Sequence, residues 1–546
     1  MSIFTIPQVK KCQESEGTFS AECLRIFAVG GGETFARTLK ALMPQIKAEA
    51  AEREEANVIL TVAGIFSPKP EYCAIRIRPE LMEIRCRDEE GARNAACLLV
   101  QLMKEGKLPC GDIADWPDTA CRAMMLESSG RSWLSMERIL LYIRQMALAR
   151  MNELHFHFME APGCTIQLDC FPEMHGFGPE NLKYTKEEIR NMVAYAAELG
   201  ITVTPFVEVL SHSFVFNKAA DIACPGDPDE QMFAVCVGQE KTYDAIEALL
   251  TEVAELFPAP ILHIGGDEYD MSAVSPRTVH WQECPHCRAL SKQMGYTTNR
   301  ELFLYALERV NRIVNRLGKV AMVWNADLKP GEIPDLLERN MVIHYYRNDN
   351  PLSGEKIYDL SIDGYIRDGF AVLNSNFRST YLDKYVSTER LSSWGCTRDP
   401  YVTEKEGVAG GCCCAWEEHS HFDYTISPAI FLFADRLWHS EGAATLYDRT
   451  FALRLTELLF DGLLPADMNV FDAVGDVLPP VDPAKDQYFH KLRLNASPDE
   501  LERILNALQS IDHPLATPYA EVTAAALKHR QAQSNKPKTA TISFDG

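Results

Sequence analysis

Ala259-Pro260-Ile261-Leu262-His263-Ile264-Gly265-Gly266-Asp267-Glu268 is an apolar run that breaks at a glycine pair and then presents two adjacent carboxylates. A regular strand sends neighbouring side chains to opposite faces. Both carboxylates can reach one pocket only where the strand ends and its geometry relaxes, which Gly265-Gly266 permits. Asp-Glu pairs are common and usually solvated, so the weight of this one depends on its surroundings.

Outward from this stretch the chain alternates. Apolar runs stand at Ala123–Leu126, Leu154–Phe158, Ile201–Val207 and Ile261–Ile264, then at Val320–Trp324, Met341–Tyr345, Phe370–Leu373 and Cys412–Trp416. Helical spacing fills most of the gaps, as from Lys186 to Leu199 with Gly200 in the C′ position, and from Thr298 to Leu317 followed by Gly318. Eight strand-like runs separated mostly by helices predict an α/β fold, a (β/α)8 TIM barrel, whose site lies at the C-terminal strand ends. An open doubly wound sheet would call for a Gly-rich phosphate turn, and none is evident.

Residues 1–117 read as a small α+β domain ahead of the barrel. Strands are expected over 57–63, 74–77 and 82–86, and a helix from Gly91 to Lys104 with Ala92, Ala96, Leu99 and Met103 on one side. Asp115-Trp116-Pro117-Asp118 marks the boundary, since Pro restricts the residue before it. The barrel then occupies 118–440, and 441–546 forms a helical C-terminal region. Ser497-Pro498-Asp499-Glu500 reads as a capping box opening a helix through about Leu508, and the polar tail from Ser534 is expected to fray.

At 546 residues the chain is too long for one ordinary core, and 46% hydrophobic with 24% charged residues is a globular composition. A formal net charge of −23 argues against nucleic acid and anionic membranes as partners. No run approaches the roughly 20 apolar residues of a membrane span, and Met1 to Pro7 lacks the pattern of a signal peptide. A cytoplasmic location and reduced thiols are therefore the expectation for the 17 cysteines. The C-terminal helices, by their position alone, are where a homodimer would form.

Polar and aromatic residues gather where the runs finish. Asn152, His155, His157 and Glu160 surround the second, Glu208 and His212 follow the third, and Asp267-Glu268 the fourth. Trp324-Asn325 end the fifth, Tyr381 and Asp383 follow the seventh, and Trp416 and Glu418 the eighth. Carboxylates that bind hydroxyls, beside aromatics that stack on pyranose faces, suit a sugar pocket, and paired carboxylates suit acid/base work on a glycosidic bond. No cofactor is expected. Cys284-Pro285-His286-Cys287 offers half a zinc site or a redox pair, but no second ligand pair stands at zinc-finger spacing, and His155 and His157 lack an evident third ligand. No metal is expected at either place.

These segments together resemble glycoside hydrolase family 20, the β-N-acetylhexosaminidases, over most of residues 57 to 438. His263-Ile264-Gly265-Gly266-Asp267-Glu268 is similar to the family's acid motif, and Asn152-Glu153-Leu154-His155-Phe156-His157 to its N-x-x-H-x-H strand. Tyr381-Leu382-Asp383, Trp416-Glu417-Glu418 and Asp435-Arg436-Leu437-Trp438 resemble its Y-L-D, W-x-E and E-R-x-W segments, and Arg122 sits where the family places a sugar-binding arginine. The resemblance implies a glycoside hydrolase with a substrate-assisted retaining mechanism. Glu268 would be the acid/base, Asp267 would orient the acetamido group, and Tyr381 would bind its oxygen. Trp324 and Trp416 would wall the pocket, while Arg122, Asp383 and Glu418 would bind hydroxyls. His212, with Glu160 and Glu208, would tune Glu268, whose pKa the Asp267 charge and partial burial would raise. His157 belongs to the same substrate-binding set.

The sequence also departs from the family pattern. Glu127, Glu160 and Glu208 stand where Asp is usual, Tyr345-Tyr346 where a Trp is common, and the arginine expected eight residues past Arg122 falls at Arg131. The favoured reading is an exo-acting enzyme that removes terminal β-linked GlcNAc or GalNAc. The alternatives are a relative acting on a disaccharide unit or a modified sugar such as sulfated GlcNAc, a silent sugar-binding protein, and a zinc-dependent hydrolase.

Overall fold

The structure, a computed structural model, describes residues 3–129, 134–161, 163–174, 183–225, 233–270, 279–335, 337–349, 360–382, 394–398, 402, 405–416, 422–440 and 497–509, with single positions at 454, 520, 524, 527, 528 and 531. The chain divides into two compact units. The larger holds residues 1–386, 393–419 and 429–444, and the smaller holds 387–392, 420–428 and 445–546. In the smaller unit the helix Pro498–Gln509 is the main described element, with Leu501 buried. The expected frayed tail from Ser534 lies outside the described residues.

The larger unit opens with a 7-stranded mixed sheet. Its strands are β1 (Lys11–Ser20), β2 (Leu24–Val29), β3 (Ala48–Ala50), β4 (Val58–Val62), β5 (Cys73–Ile77), β6 (Met82–Cys86) and β7 (Lys107–Asp115), in the order β1-β7-β5-β6-β4-β2-β3. Strict alternation buries Cys73, Ile75 and Ile77 of β5 and Met82, Ile84 and Cys86 of β6. The helix Glu89–Leu102, N-capped by Asp88, packs across both strands. β1, β2, β3, β7 and the helix Glu33–Leu42 add to the elements expected from sequence. β1 buries only Phe19, so it carries no hydrophobic period and exists as an edge strand through its ladder with β7.

The barrel strands are β8 (Cys121–Glu127), β9 (Glu153–Glu160), β11 (Thr202–Val207), β12 (Ile261–His263), β13 (Val320–Trp324), β14 (Val342–Tyr345), β15 (Ala371–Asn374) and β16 (Val408–Ala415). All pair in parallel, and β8 pairs with both β9 and β16, so the sheet closes as the eight apolar runs predict. A short β10 (Gly163–Cys164) folds back antiparallel on β9. Closure between β16 and β8 depends on Gly410, whose φ is +152° and whose added Cβ would stand 1.9 Å from the Cys121 carbonyl oxygen. Capping boxes at Thr185/Glu188 and Thr298/Glu301 start the helices Lys186–Glu198 and Asn299–Arg316, and Gly200 and Gly318 follow their ends with positive φ. Among the described residues no helix is long and apolar enough to cross a membrane.

Buried polar groups weld the first sheet to the barrel. Gln101 Nε2 donates to the Ile6 and Leu148 carbonyls at 2.7 and 2.6 Å, and Trp438 Nε1 donates to Asp115 Oδ1 at 2.9 Å. The Arg150 guanidinium binds the Asp115 carboxylate and the Pro7 carbonyl. These charges are out of water but paired, the condition under which they are tolerated.

Candidate active site

The C-terminal ends of β9, β11 and β12 bring five titratable groups together: Glu160, Glu208, His212, Asp267 and Glu268. After β12 the backbone turns through Gly265 and Gly266 with φ of 69° and 86°. The turn delivers Asp267 and Glu268 to one place, both half-buried. Glu268 itself has φ 52° and His212 φ 49°, a left-handed conformation costly for side chains of this size and kept where the surroundings enforce it.

His212 stands between two carboxylates. Its Nδ1 lies 2.7 Å from Glu160 Oε1 and its Nε2 3.6 Å from Glu268 Oε2. Desolvation works to lower the His212 pKa, but the hydrogen bonds to Glu160 and then Glu268 outweigh it, so the imidazole titrates well above its ordinary range. Glu208 turns instead to the glycine pair, accepting from the Gly266 amide at 3.1 Å. Burial, and next the Asp267 charge, push the Glu208 carboxyl well up. Burial also raises Asp267, to about 6, with the His212 cation opposing and the Glu268 charge adding to the rise. Asp267 Oδ1 and Trp324 Nε1 are buried without a hydrogen-bond partner.

Two of the three longer side chains at the expected Asp positions, Glu208 and Glu127, find backbone partners, while Glu160 binds His212. Glu208 reaches the glycine turn so closely that a Cβ on Gly265 would lie 1.7 Å from its Oε2. Glu127 accepts from the Ser129 amide at 2.7 Å and from the Ser129 hydroxyl.

Aromatic rings close the other side. Trp324 lies wholly buried, its face 4.0 Å from His344, and Tyr346 meets it edge-on at 5.3 Å. Tyr346 stacks parallel to Tyr381 at 6.2 Å, and Tyr381 meets Trp416 at 5.8 Å. His157 sits beneath, flat on Phe206 at 3.9 Å and edge-on to Trp416 at 5.4 Å. His155 is engaged deeper in the barrel by Glu153 at 2.9 Å, and His344 by Ser375 at 2.7 Å and His263 at 3.0 Å.

Of the residues expected from sequence, the structure therefore assembles Asp267, Glu268, His212, Glu160, Glu208, Tyr381, Trp324, Trp416 and His157. Asp383, Glu418 and Arg131 lie outside the described residues. Arg122 requires a correction. It is the second residue of β8, at the N-terminal end of the barrel and hence opposite the carboxylates. Its buried guanidinium is held by Glu71 at 2.6 and 3.1 Å, the Arg150 carbonyl at 2.8 Å and the Thr119 carbonyl at 2.7 Å. It joins the first sheet to the barrel and does not line this site.

Two residues stand outside the set expected to line the site. Tyr346 supplies a ring where a Trp was expected, and Arg347 places its guanidinium 3.7 Å from Glu268 Oε1. Asn325 holds both, accepting from the Tyr346 amide at 2.9 Å and donating to the Arg347 carbonyl at 2.7 Å. Their signal in the sequence is position, directly after the sixth barrel strand.

Known proteins resemble the chain in this same region. The catalytic domain of glycosyl hydrolase family 20 matches residues 120–441. A β-hexosaminidase of Vibrio furnissii is 29% identical over 400 residues, covering 63% of this chain and 61% of that protein. The chain thus spans about three-fifths of that relative's length. In structure it resembles a β-N-acetylhexosaminidase of Bacteroides fragilis at TM-score 0.72 and 24% identity, over 84% of this chain and 96% of the other. It also resembles an exo β-N-acetylglucosaminidase of Vibrio harveyi, solved with N-acetylglucosamine, at TM-score 0.69 and 21% identity, over 84% and 78%. Since the family match spans more than half of the chain, including the barrel strands and the Asp267-Glu268 turn, the chain belongs to glycosyl hydrolase family 20.

Proposed function

We propose that the chain is an exo-acting, retaining β-N-acetylhexosaminidase that removes terminal β-linked GlcNAc or GalNAc by substrate-assisted catalysis. One observation carries the reading: adjacent Asp267 and Glu268 face a cluster of Trp324, Tyr346, Tyr381 and Trp416, with His212 beside Glu268. The substrate's acetamido oxygen attacks the anomeric carbon as the glycosidic bond breaks, and Glu268 protonates the departing oxygen. Asp267 accepts the acetamido N–H through its unpartnered Oδ1 and offsets the positive charge of the oxazolinium ring. Water then adds to the anomeric carbon, giving its proton to Glu268 and reopening the acetamide. Tyr381 and the tryptophans confine that group, and the His212 cation, anchored by Glu160, steadies Glu268.

Initial rates on chitobiose, 4-nitrophenyl β-GlcNAc and the matching β-glucoside test this. Turnover of the acetamido sugars alone is expected. Glu268→Gln should cost about 10²–10⁴-fold in kcat on chitobiose, and less on the nitrophenyl leaving group, which needs no proton. Equal turnover of the glucoside, or full activity of the variant, would overturn the mechanism. A second reading, a GlcNAc bearing an acidic group such as sulfate, is favoured by Arg347 beside Glu268. Faster turnover of sulfated than plain substrate would select it.

A further inference from the structure

Cys284-Pro285-His286-Cys287 has no second ligand pair at zinc-finger spacing in the sequence, but the fold provides one. Cys224 and Cys236, on the connection after β11, meet Cys284 and Cys287, at the start of the helix Pro285–Met294 that follows β12. All four sulfurs lie within 4.8 Å of one another, and all four residues are buried. The separations are 4.0 Å for Cys224–Cys287, 3.5 Å for Cys236–Cys284 and 3.7 Å for Cys236–Cys287. A disulfide would need about 2.05 Å. A tetrahedral ion with metal–sulfur bonds of about 2.3 Å sets its ligands about 3.8 Å apart, which is the spacing found here.

Two further features suit thiolates around a cation. Cys284 caps the helix Pro285–Met294 and Cys287 lies in its first turn, where the helix dipole favours negative charge. Gly238 presses its backbone against that turn, so that an added Cβ would lie 2.4 Å from the His286 carbonyl carbon. Only glycine lets the Cys236 loop close on the helix this tightly.

From this geometry we infer a structural zinc site formed by Cys224, Cys236, Cys284 and Cys287. Four protein ligands close the coordination shell, so the ion has no open position for water or substrate. Its place gives it a task. The loop after β11 carries Glu208, Ser211 and His212, and the loop after β12 begins with Asp267 and Glu268. The loops already touch through Trp281 Nε1 on the Val235 carbonyl at 2.8 Å and through the Ser211 hydroxyl on the Asp267 carbonyl at 2.5 Å. His212 packs against Phe233 at 4.5 Å, three residues before Cys236. The ion ties the loop that holds His212 to the loop that holds Glu268, fixing the distance between them.

Metal analysis of the full-length protein purified without chelator tests the site. We expect one zinc per chain, and below one tenth of that in the Cys284→Ser/Cys287→Ser double variant. X-ray absorption at the zinc edge of the unmodified protein keeps the test decisive if the variant does not fold, with four sulfur neighbours at about 2.3 Å expected. Metal-free protein after growth with added zinc, nitrogen or oxygen neighbours at the zinc, or a disulfide among the four cysteines by mass spectrometry would each overturn the proposal. One iron per chain in place of zinc would overturn the choice of ion.

Discussion

At the scale of single residues, the proposed chemistry turns on the charge of Asp267. Burial raises its carboxyl to about 6, so it takes up a proton as the pH falls through that value. A protonated Asp267 can neither accept the acetamido N–H nor offset positive charge. We therefore expect kcat/KM, which reports on the unliganded enzyme, to fall tenfold per pH unit below about 6. Asp267→Asn should be slower by about 10²-fold and lack that limb, as a pH–rate profile would show. His212, raised well above its ordinary range, stays charged across this window. For stability the sign is the reverse of that for a salt-bridged carboxylate. A carboxyl raised on folding stabilises most when protonated, so its contribution falls as the pH rises from about 4 to about 6. Asp267, Glu268, Tyr381 and Trp416 were legible because short local motifs carry them. Arg122 was misread because a strand rises about 3.3 Å per residue, so the five steps to Glu127 cover about 16 Å, the depth of the barrel.

At the scale of elements, the turn after β12 is the most constrained piece of backbone. Gly265 has φ +69°, and a Cβ there would lie within 2.5 Å of three atoms of the Glu208 carboxylate. Gly265→Ala should therefore destabilise the protein by about 2 kcal/mol or more and lower kcat at least tenfold. Adding Glu208→Asp should recover part of the stability, because the shorter chain withdraws the clashing carboxylate. A double-mutant cycle by denaturant titration measures that coupling, and strict additivity would contradict the packing described. The barrel strands were readable as elements because each is a continuous apolar run. β1 was not, since its burial is that of an edge strand and its pairing partner lies some ninety residues away.

At the scale of the whole molecule, the first sheet and the barrel share buried charges. Glu71, on the loop before β5, neutralises the Arg122 guanidinium, whose side chain is 1% exposed. Glu71→Gln leaves that cation short of its partner and should cost about 3 kcal/mol, seen as a lower Tm. KM for an acetamido sugar should not change, because Arg122 stands at the far end of the barrel from Glu268. A raised KM with unchanged Tm would restore Arg122 to the sugar site.

The eight apolar runs, their alternation with helices and the adjacency of Asp267 and Glu268 were legible in the sequence alone. Each rests on periodicity or adjacency, interactions between neighbours along the chain. The tertiary structure decided the rest: Arg122 bound to Glu71, Arg347 beside Glu268, and Cys224 4.0 Å from Cys287 across 63 positions. Those contacts exist because barrel closure brings particular strand ends and loops together, and no local pattern encodes the distance between two loops.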